Sequence, residues 1–308
     1  MYKVFIDGSA GTTGLKIYDR LSKRNDVSLI KLPDELRKDA SARKQAINES
    51  DVCFLCLPDD AAKESVSFVE NDHTIVIDTS TAHRTSDKFA YGFAELKGYR
   101  EAIKNSKKIA NPGCHASGFI SLVEPLISSG VLKSDIKLSC FSLTGYSGGG
   151  KKMIAEYEDA CRPAYFDAPR LYALSQSHKH LPEIQKVCKL DYAPTFMPVV
   201  ADYIAGMQVI VPLFTSDLKC SVNDIKEIYK ELYNSKIVYY TEETENGFST
   251  SNSLAGRDDM QISVFGNDQR ITLVSRFDNL GKGASGAAIQ NMNVALGIDE
   301  TLSLILND

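Results

Sequence analysis

Asn111-Pro112-Gly113-Cys114-His115-Ala116-Ser117-Gly118 sets a cysteine at a turn, directly before an amphipathic run. Phe119, Ile120, Leu122, Val123, Leu126 and Ile127 fall at the i, i+3, i+4, i+7 spacing of one helical face. A cysteine there meets the positive end of a helix dipole and unpaired backbone N–H groups, which favours the nucleophilic thiolate. A free cysteine packed inertly in a turn is the plainer alternative. Pro125 is expected to kink the helix or to end its first segment. Farther on, His178 and His180 flank Lys179 in His178-Lys179-His180-Leu181-Pro182-Glu183. In an extended segment both imidazoles would share one face. Histidine titrates near neutrality, so the pair suits proton transfer beside a thiol. No cysteine or carboxylate cluster stands at metal-ligand spacing, and no metal is expected.

Gly8-x-x-Gly11-x-x-Gly14 lies between a strand and a helix, the context of a dinucleotide-phosphate loop. Glycines there allow a tight turn and a close approach of backbone to pyrophosphate on the helix N-terminus. A tight structural turn is the alternative, because the spacing is not G-x-G-x-x-G. Asp34 and Glu35, about 20 residues beyond the loop, could hold a ribose hydroxyl and select NAD. Arg37 and Lys38 could instead hold the 2′-phosphate of NADP, and the residues leave the two nearly balanced. Gly145-Tyr146-Ser147-Gly148-Gly149-Gly150-Lys151-Lys152 offers N–H groups, a hydroxyl and two ammonium groups to an anion, or is a loop with solvated lysines. Asp78-Thr79-Ser80-Thr81-Ala82-His83-Arg84 closes a strand, where open α/β sheets line their ligand crevice. Arg84 there suits a bidentate clamp on a carboxylate; a surface ion pair is the bland reading.

The elements that must position these groups alternate strictly at first. Strands are expected over 3–6, 27–32, 51–57 and 74–78, with helices from the glycine loop to about 24 and over 39–48 and 60–69. The run over 51–57 is nearly all apolar, as in a strand covered on both faces. This succession predicts a doubly wound, Rossmann-like parallel sheet. Cys53 and Cys56 have C-x-x-C spacing but lie in that strand, pointing to opposite faces, and read as packing. After Cys114 the pattern becomes α+β on a mostly antiparallel sheet, with strands over 136–142, 203–211, 262–266 and 271–277 and a helix over 223–234. Asn267-Asp268-Gln269 reads as a hairpin turn. A helix over 284–296, rich in small residues, is expected to pack back on the first domain. The expected division is a cofactor-binding domain over 1–114, joined by 282–308, and a catalytic and oligomerisation domain over 115–281.

Composition excludes several classes. The 308 residues carry 43% hydrophobic and 24% charged residues, as soluble globular chains do. With 35 basic against 40 acidic residues and no basic run, nucleic acid has no electrostatic footprint to grip. No apolar stretch approaches the ~18 residues of a membrane span. Seven scattered cysteines suggest reduced thiols in a cytoplasmic protein.

Together these segments resemble the N-acetyl-gamma-glutamyl-phosphate reductases, in the shorter of two types. The likeness rests on IDGSAGTTG (6–14), LCLPDDAA (55–62), IDTSTAHR (77–84), NPGC (111–114), GYSGGGKKMIAEYED (145–159), HKHLPE (178–183) and DNLGKGASGAAIQNMN (278–293). It implies a Rossmann domain and a catalytic domain like that of dehydrogenases acting on acyl phosphates. It implies NADPH-dependent reduction of N-acetyl-glutamyl phosphate to the semialdehyde, in arginine biosynthesis, by a homo-oligomer (dimer or tetramer). The cofactor choice tips to NADP, with Gly8, Ala10, Gly11, Thr12, Thr13, Gly14, Arg37, Lys38, Pro58, Ser80 and Asn279 as its ligands. Cys114 becomes the nucleophile and His180 the acid–base group. Arg84, Asn111, Ser147, Lys151 and His178 become substrate ligands. One departure stands out. An aromatic, a proline and a threonine would be expected after the cysteine, where this chain has His115, Ala116 and Ser117. The alternatives are an aspartate-semialdehyde dehydrogenase-like enzyme, or a dinucleotide sensor without chemistry.

Overall fold

The computed structural model describes residues 1–307. The chain forms two compact units, Met1–Pro112 with Ala284–Leu304, and Gly113–Gly283 with the residues from Ile305. The turn that carries Cys114 therefore opens the second unit, whereas the sequence reading ended the first domain with it. Likewise only residues 284–304 of the C-terminal stretch belong to the first unit.

The first unit alternates β1 (Tyr2–Asp7), α1 (Thr12–Leu21), β2 (Val27–Ile30), α2 (Ala40–Glu49), β3 (Val52–Leu55), α3 (Asp59–Ser67) and β4 (Ile75–Asp78). β5 (Ala90–Tyr91), α4 (Tyr99–Lys104) and β6 (Lys108–Ala110) complete its first stretch. The sheet is parallel throughout, in the order β2-β1-β3-β4-β6-β5. Side chains alternate across it, which splits the core in two. Val4, Ile6, Val52, Phe54, Ile75 and Ile77 face one cluster with Ile17 and Leu21 of α1. Phe5, Cys53, Leu55 and Val76 face another with Ala46, Ile47 and Ala62 of α2 and α3. Both faces are buried, so these strands carry continuous apolar runs. Because β1 lies between β2 and β3, the loop after β1 sits at the point where strand order reverses, where such sheets bind ligands.

The second unit runs α5 (Cys114–Ser128), β7 (Ser139–Gly145), α6 (Gly150–Glu158), β8 (Arg170–Leu171), α7 (Leu181–Val187), β9 (Thr195–Ala201) and β10 (Met207–Phe214). α8 (Val222–Leu232), β11 (Val238–Tyr240), β12 (Met260–Gly266) and β13 (Arg270–Phe277) follow. Its sheet has the order β11-β12-β13-β10-β7-β9-β8. Four of the pairings are antiparallel, while β7–β9 and β11–β12 are parallel. Asn267 N–H bonds Arg270 O at 2.9 Å and closes the β12–β13 hairpin. β9 escaped the sequence reading because Pro198 interrupts its pattern, and proline argues against an inner strand.

α5 does not end at Pro125 but continues to Ser128. Proline has no N–H for the carbonyl four residues back, that of Ser121. The Tyr233 hydroxyl supplies that bond at 2.7 Å, and the Tyr229 hydroxyl bonds the neighbouring Leu122 carbonyl. Both tyrosines are fully buried on α8 or just beyond it. The closing helix α9 (Gly286–Ala295) returns to the first unit, where Ala288, Ile289 and Met292 join the core of α1. It is shorter than the expected 284–296, because Gly281–Ser285 is wound as a π-helical turn. No helix of the described residues is long and apolar enough to cross a membrane.

Candidate active site

Cys114 is the first residue of α5, behind an extended N-cap, Gly113 (φ −81°, ψ 148°). Gly113 O accepts Ser117 N–H at 2.8 Å, and Gly113 N–H donates to Glu183 Oε1 at 2.8 Å. The cysteine is half-buried. A Cβ on Gly283 would fall 2.9 Å from the Cβ of Cys114 and 3.1 Å from Asp278 O, so only glycine fits there without displacement. The turn leading to it is fixed by Asp278, whose buried carboxylate takes the N–H groups of Leu280 (2.6 Å), Gly281 (2.8 Å) and Gly256 (2.6 Å). Ser117 Oγ, one turn below the cysteine, is buried with no hydrogen-bond partner among the described residues.

Three imidazoles gather beside this turn. His178 and His180 lie in a turn leading into α7, with His180 in helical conformation rather than extended, yet their rings are 4.8 Å apart. His115 meets them at 5.6 and 5.4 Å, and Phe196 of β9 closes the cluster at 5.3 Å from His115 and 5.1 Å from His178. Burial, then the charge of Lys179, pulls the His178 pKa down to about 4. Burial, with smaller repulsion from His178 and Lys179, takes His115 to about 3. Both rings are neutral at pH 7. His115 is bonded at both nitrogens, Nδ1 to Ser142 Oγ and Nε2 to Tyr172 Oη, each at 2.7 Å. Sequence reading missed Tyr172; its place six residues before His178 gave no periodic or motif signal.

The glycine-rich segment at 145–152 is no open loop: a 3₁₀ turn (Tyr146–Gly149) leads into α6. Ser147 is buried and accepts Asn279 Nδ2 at 3.0 Å, while Asn279 Oδ1 takes Gly206 N–H at 3.0 Å. Lys151 and Lys152 are exposed on α6.

In the first unit the glycine loop is packed backbone to backbone. A Cβ on Gly8 (φ +88°) would lie 2.3 Å from Cys56 O, and one on Gly14 would lie 2.6 Å from Gly8 O. Gly11 has room, and its N–H bonds Gly8 O at 3.1 Å. The first internal bond of α1 runs from Leu15 N–H to Gly11 O, so the N–H groups of Thr12, Thr13 and Gly14 precede the helix's own ladder. A cavity of about 630 Å³ extends from Gly8, Ser9 and Ala10 to Lys31, Arg37 and Lys38, with Asp34 and Glu35 also in its wall. Its size, small-residue loop and the cations Lys31, Arg37 and Lys38 at its far end fit a dinucleotide phosphate. Arg37 pairs with Asp34 at 2.7 Å, so the two competing readings of the ribose site are themselves linked.

Arg43, also unread from sequence, is a buried part of that wall. It bonds Asp7 (3.1 Å), Glu64 (2.7 Å) and Ser65 (2.5 Å). Pro58 is the N-cap of α3, and Ser80 Oγ donates to buried Asp78 at 2.9 Å. Arg84 donates to the carbonyls of Asn111 (3.0 Å) and Thr79 (2.9 Å). Asn111 donates to Ala284 O and accepts from Asn291. Cys53 and Cys56 are thiols that burial pushes up, Cys56 to about 12, which makes them poor thiolates.

A parallel cofactor-type sheet, a mixed second sheet and a helix-start cysteine define a class, and the comparisons agree. Residues 3–106 match the family model for the semialdehyde dehydrogenase NAD-binding domain, and 114–279 that for the semialdehyde dehydrogenase dimerisation domain. Proteins of Brucella ovis and Brucella canis, both named N-acetyl-gamma-glutamyl-phosphate reductase, are each 45% identical over 306 residues, covering 96% of this chain and 99% of theirs. The chain belongs to that reductase family within the semialdehyde dehydrogenases. Among solved structures, aspartate semialdehyde dehydrogenase II of Vibrio cholerae shares the fold with a TM-score of 0.71 at 14% identity, over 96% of this chain and 98% of that one. The Francisella tularensis enzyme gives 0.71 at 14%, over 96% and 99%.

Proposed function

We propose that this chain reduces N-acetyl-glutamyl phosphate to N-acetyl-glutamate semialdehyde with NADPH, through a thioester on Cys114. The observation that carries the reading is Cys114 at the first residue of α5, beside the His115–His178–His180 cluster. The relatives at 45% identity support the substrate. The Cys114 thiolate attacks the acyl carbon, the carbonyl oxygen takes up charge, and phosphate leaves with the electron pair of the broken C–O bond. A reduced nicotinamide, when bound, supplies the hydride that turns the thioester carbonyl into a thiohemiacetal. His180 manages the proton on that oxygen as the C–S bond breaks and the thiolate returns. Backbone N–H groups at the start of α5 stabilise the oxyanion, a role commonly worth ~2.7–4 kcal/mol per donor. A covalent cysteine divides one difficult displacement into two easier ones.

The residues for NADP are Gly8, Ala10, Gly11, Thr12, Thr13 and Gly14 around the pyrophosphate, and Arg37 with Lys38 at the 2′-phosphate. Pro58, Ser80 and Asn279 are assigned to the remainder of the cofactor. Arg84, Asn111, Ser147, Lys151 and His178 are assigned to substrate. Exposed Phe141 and Phe214 on the second sheet, with the match to a dimerisation domain, support a homo-oligomer. We place it in the cytoplasm.

Phosphate-dependent NADP reduction with N-acetyl-glutamate semialdehyde, run beside aspartate semialdehyde, tests the reading. Turnover of the first substrate and not the second is expected. Preference for aspartate semialdehyde overturns the substrate assignment, and no turnover of either overturns the enzyme.

A further inference from the structure

β8 is a strand of two residues at the edge of the second sheet. Arg170 and Leu171 lie opposite Val200 and Val199 of β9, and Tyr172 N–H bonds Pro198 O at 3.0 Å. Pro198 has no N–H to return, so the pairing is thin there. Continued in the same register, Leu174 would lie opposite Phe196 and form the next hydrogen-bonded pair. The backbone does not follow that course. Ala173 (φ +53°) and Gln176 (φ +56°) take the left-handed conformation, which residues with a Cβ rarely adopt. Gln176 N–H bonds Ala173 O at 3.0 Å, and Leu174 is turned out to solvent, 75% exposed. The side-chain amide of Gln176 takes the vacated place. Its Nε2 donates to Phe196 O at 2.7 Å, and its Oε1 accepts Phe196 N–H at 2.8 Å.

The segment turned in this way carries His178, whose ring stands 5.1 Å from that of Phe196 and 5.9 Å from that of Tyr172. His178 Nδ1 accepts the backbone N–H of His180 at 3.3 Å, so the one proton of the neutral ring lies on Nε2. We propose that Gln176 is a positioning residue for the site: its amide replaces a missing strand rung and, through Phe196, fixes the loop that presents His178 as an Nε2–H donor to substrate. Left-handed residues other than glycine persist where their surroundings over-determine them, and the two amide bonds supply that constraint. This deepens the proposed function and rests on its assignment of His178 to substrate. The ionisable groups around His178 are His115, Tyr172, Lys179 and His180, and all are kept in the variants below.

The test follows the imidazole Cε1–H resonances by NMR across pH, beside steady-state kinetics. Burial holds the His178 midpoint at about 4, below its ordinary 6.5. Gln176→Met keeps the side chain's length and loses both bonds. It should let water reach the loop and raise that midpoint by roughly one pH unit or more. His73 and His83, in the first unit, should titrate as in wild type. KM for the acyl substrate should rise roughly tenfold, with kcat changed less. Gln176→Glu, which keeps an acceptor for Phe196 N–H, should lie between Gln176→Met and wild type. A wild-type midpoint and KM in Gln176→Met overturn the proposal, as does a loss confined to melting temperature. A raised midpoint with unchanged KM supports the anchoring by Gln176 and overturns the substrate role of His178, which separates the two failures.

Discussion

Glu183 Oε1 accepts the backbone N–H of Gly113 at 2.8 Å, from a carboxylate that is 1% exposed. The bond ties the turn that presents Cys114 to the helix whose N-cap is His180. Nucleophile and proposed acid–base group are thus held by one carboxylate, three residues from the imidazole. Glu183→Ala should leave an uncompensated N–H at this turn and lower kcat more than it changes NADP affinity. Equal losses in both, with a lowered melting temperature, would make the bond merely structural.

Burial of His115 makes stability depend on pH. Its ordinary pKa of 6.5 falls to about 3 in the folded chain. Between these values the unfolded chain binds a proton that the folded chain refuses, so stability rises with pH across this window, by up to ~1.4 kcal/mol per pH unit. His115→Phe should flatten urea-unfolding stability measured from pH 4 to 6.5. A wild-type profile no steeper than that of the variant contradicts a neutral, buried His115.

Tyr233→Phe removes the donor to Ser121 O and leaves a buried carbonyl opposite Pro125 unpaired. A loss of about 1–3 kcal/mol is expected in denaturant unfolding. A change within ±0.5 kcal/mol would mean that α5 tolerates its proline without help.

Much of the first unit was legible because a sheet covered on both faces writes its strands as apolar runs and its turns as glycines. Gly8 and Gly14 are glycines because protein backbone, Cys56 O and Gly8 O, packs against them, as a tight turn requires. Sequence reading failed where contacts join distant segments. Nothing in the sequence singles out Arg43, yet it is sunk against Asp7, Glu64 and Ser65. Tyr172 and Ser142 are 30 residues apart, and only the folded unit brings both to His115. Gly283 looked like one small residue among several until its distance from Cys114 gave it a reason.

Arg37→Ala with Lys38→Ala should weaken NADP much more than NAD, since only NADP carries the 2′-phosphate. Isothermal titration with both cofactors reads the difference. Because Arg37 is paired with Asp34, Asp34→Asn should change the preference less than loss of the cations. Equal weakening of NADP and NAD would remove these residues from the 2′ position.

His178 titrates at about 4, so it cannot supply a near-neutral limb to a pH–rate profile. His180→Asn should abolish that limb and cost ~10²–10⁴-fold in the chemical step while the thioester still forms. His178→Asn should keep the limb and act mainly on KM. Loss of the limb in His178→Asn alone would reverse the two roles.

Covalent catalysis by Cys114 is the central claim, and trapping the acyl-enzyme tests it most directly. N-acetyl-glutamate semialdehyde and NADP, mixed with the enzyme without phosphate, should give one NADPH per active chain and an N-acetyl-glutamyl thioester. Peptide mass spectrometry should find the adduct on Cys114, hydroxylamine should release it, and Cys114→Ser should show neither burst nor adduct while still binding NADP. An adduct on another residue, or appreciable phosphate-dependent turnover by Cys114→Ser, would contradict the account.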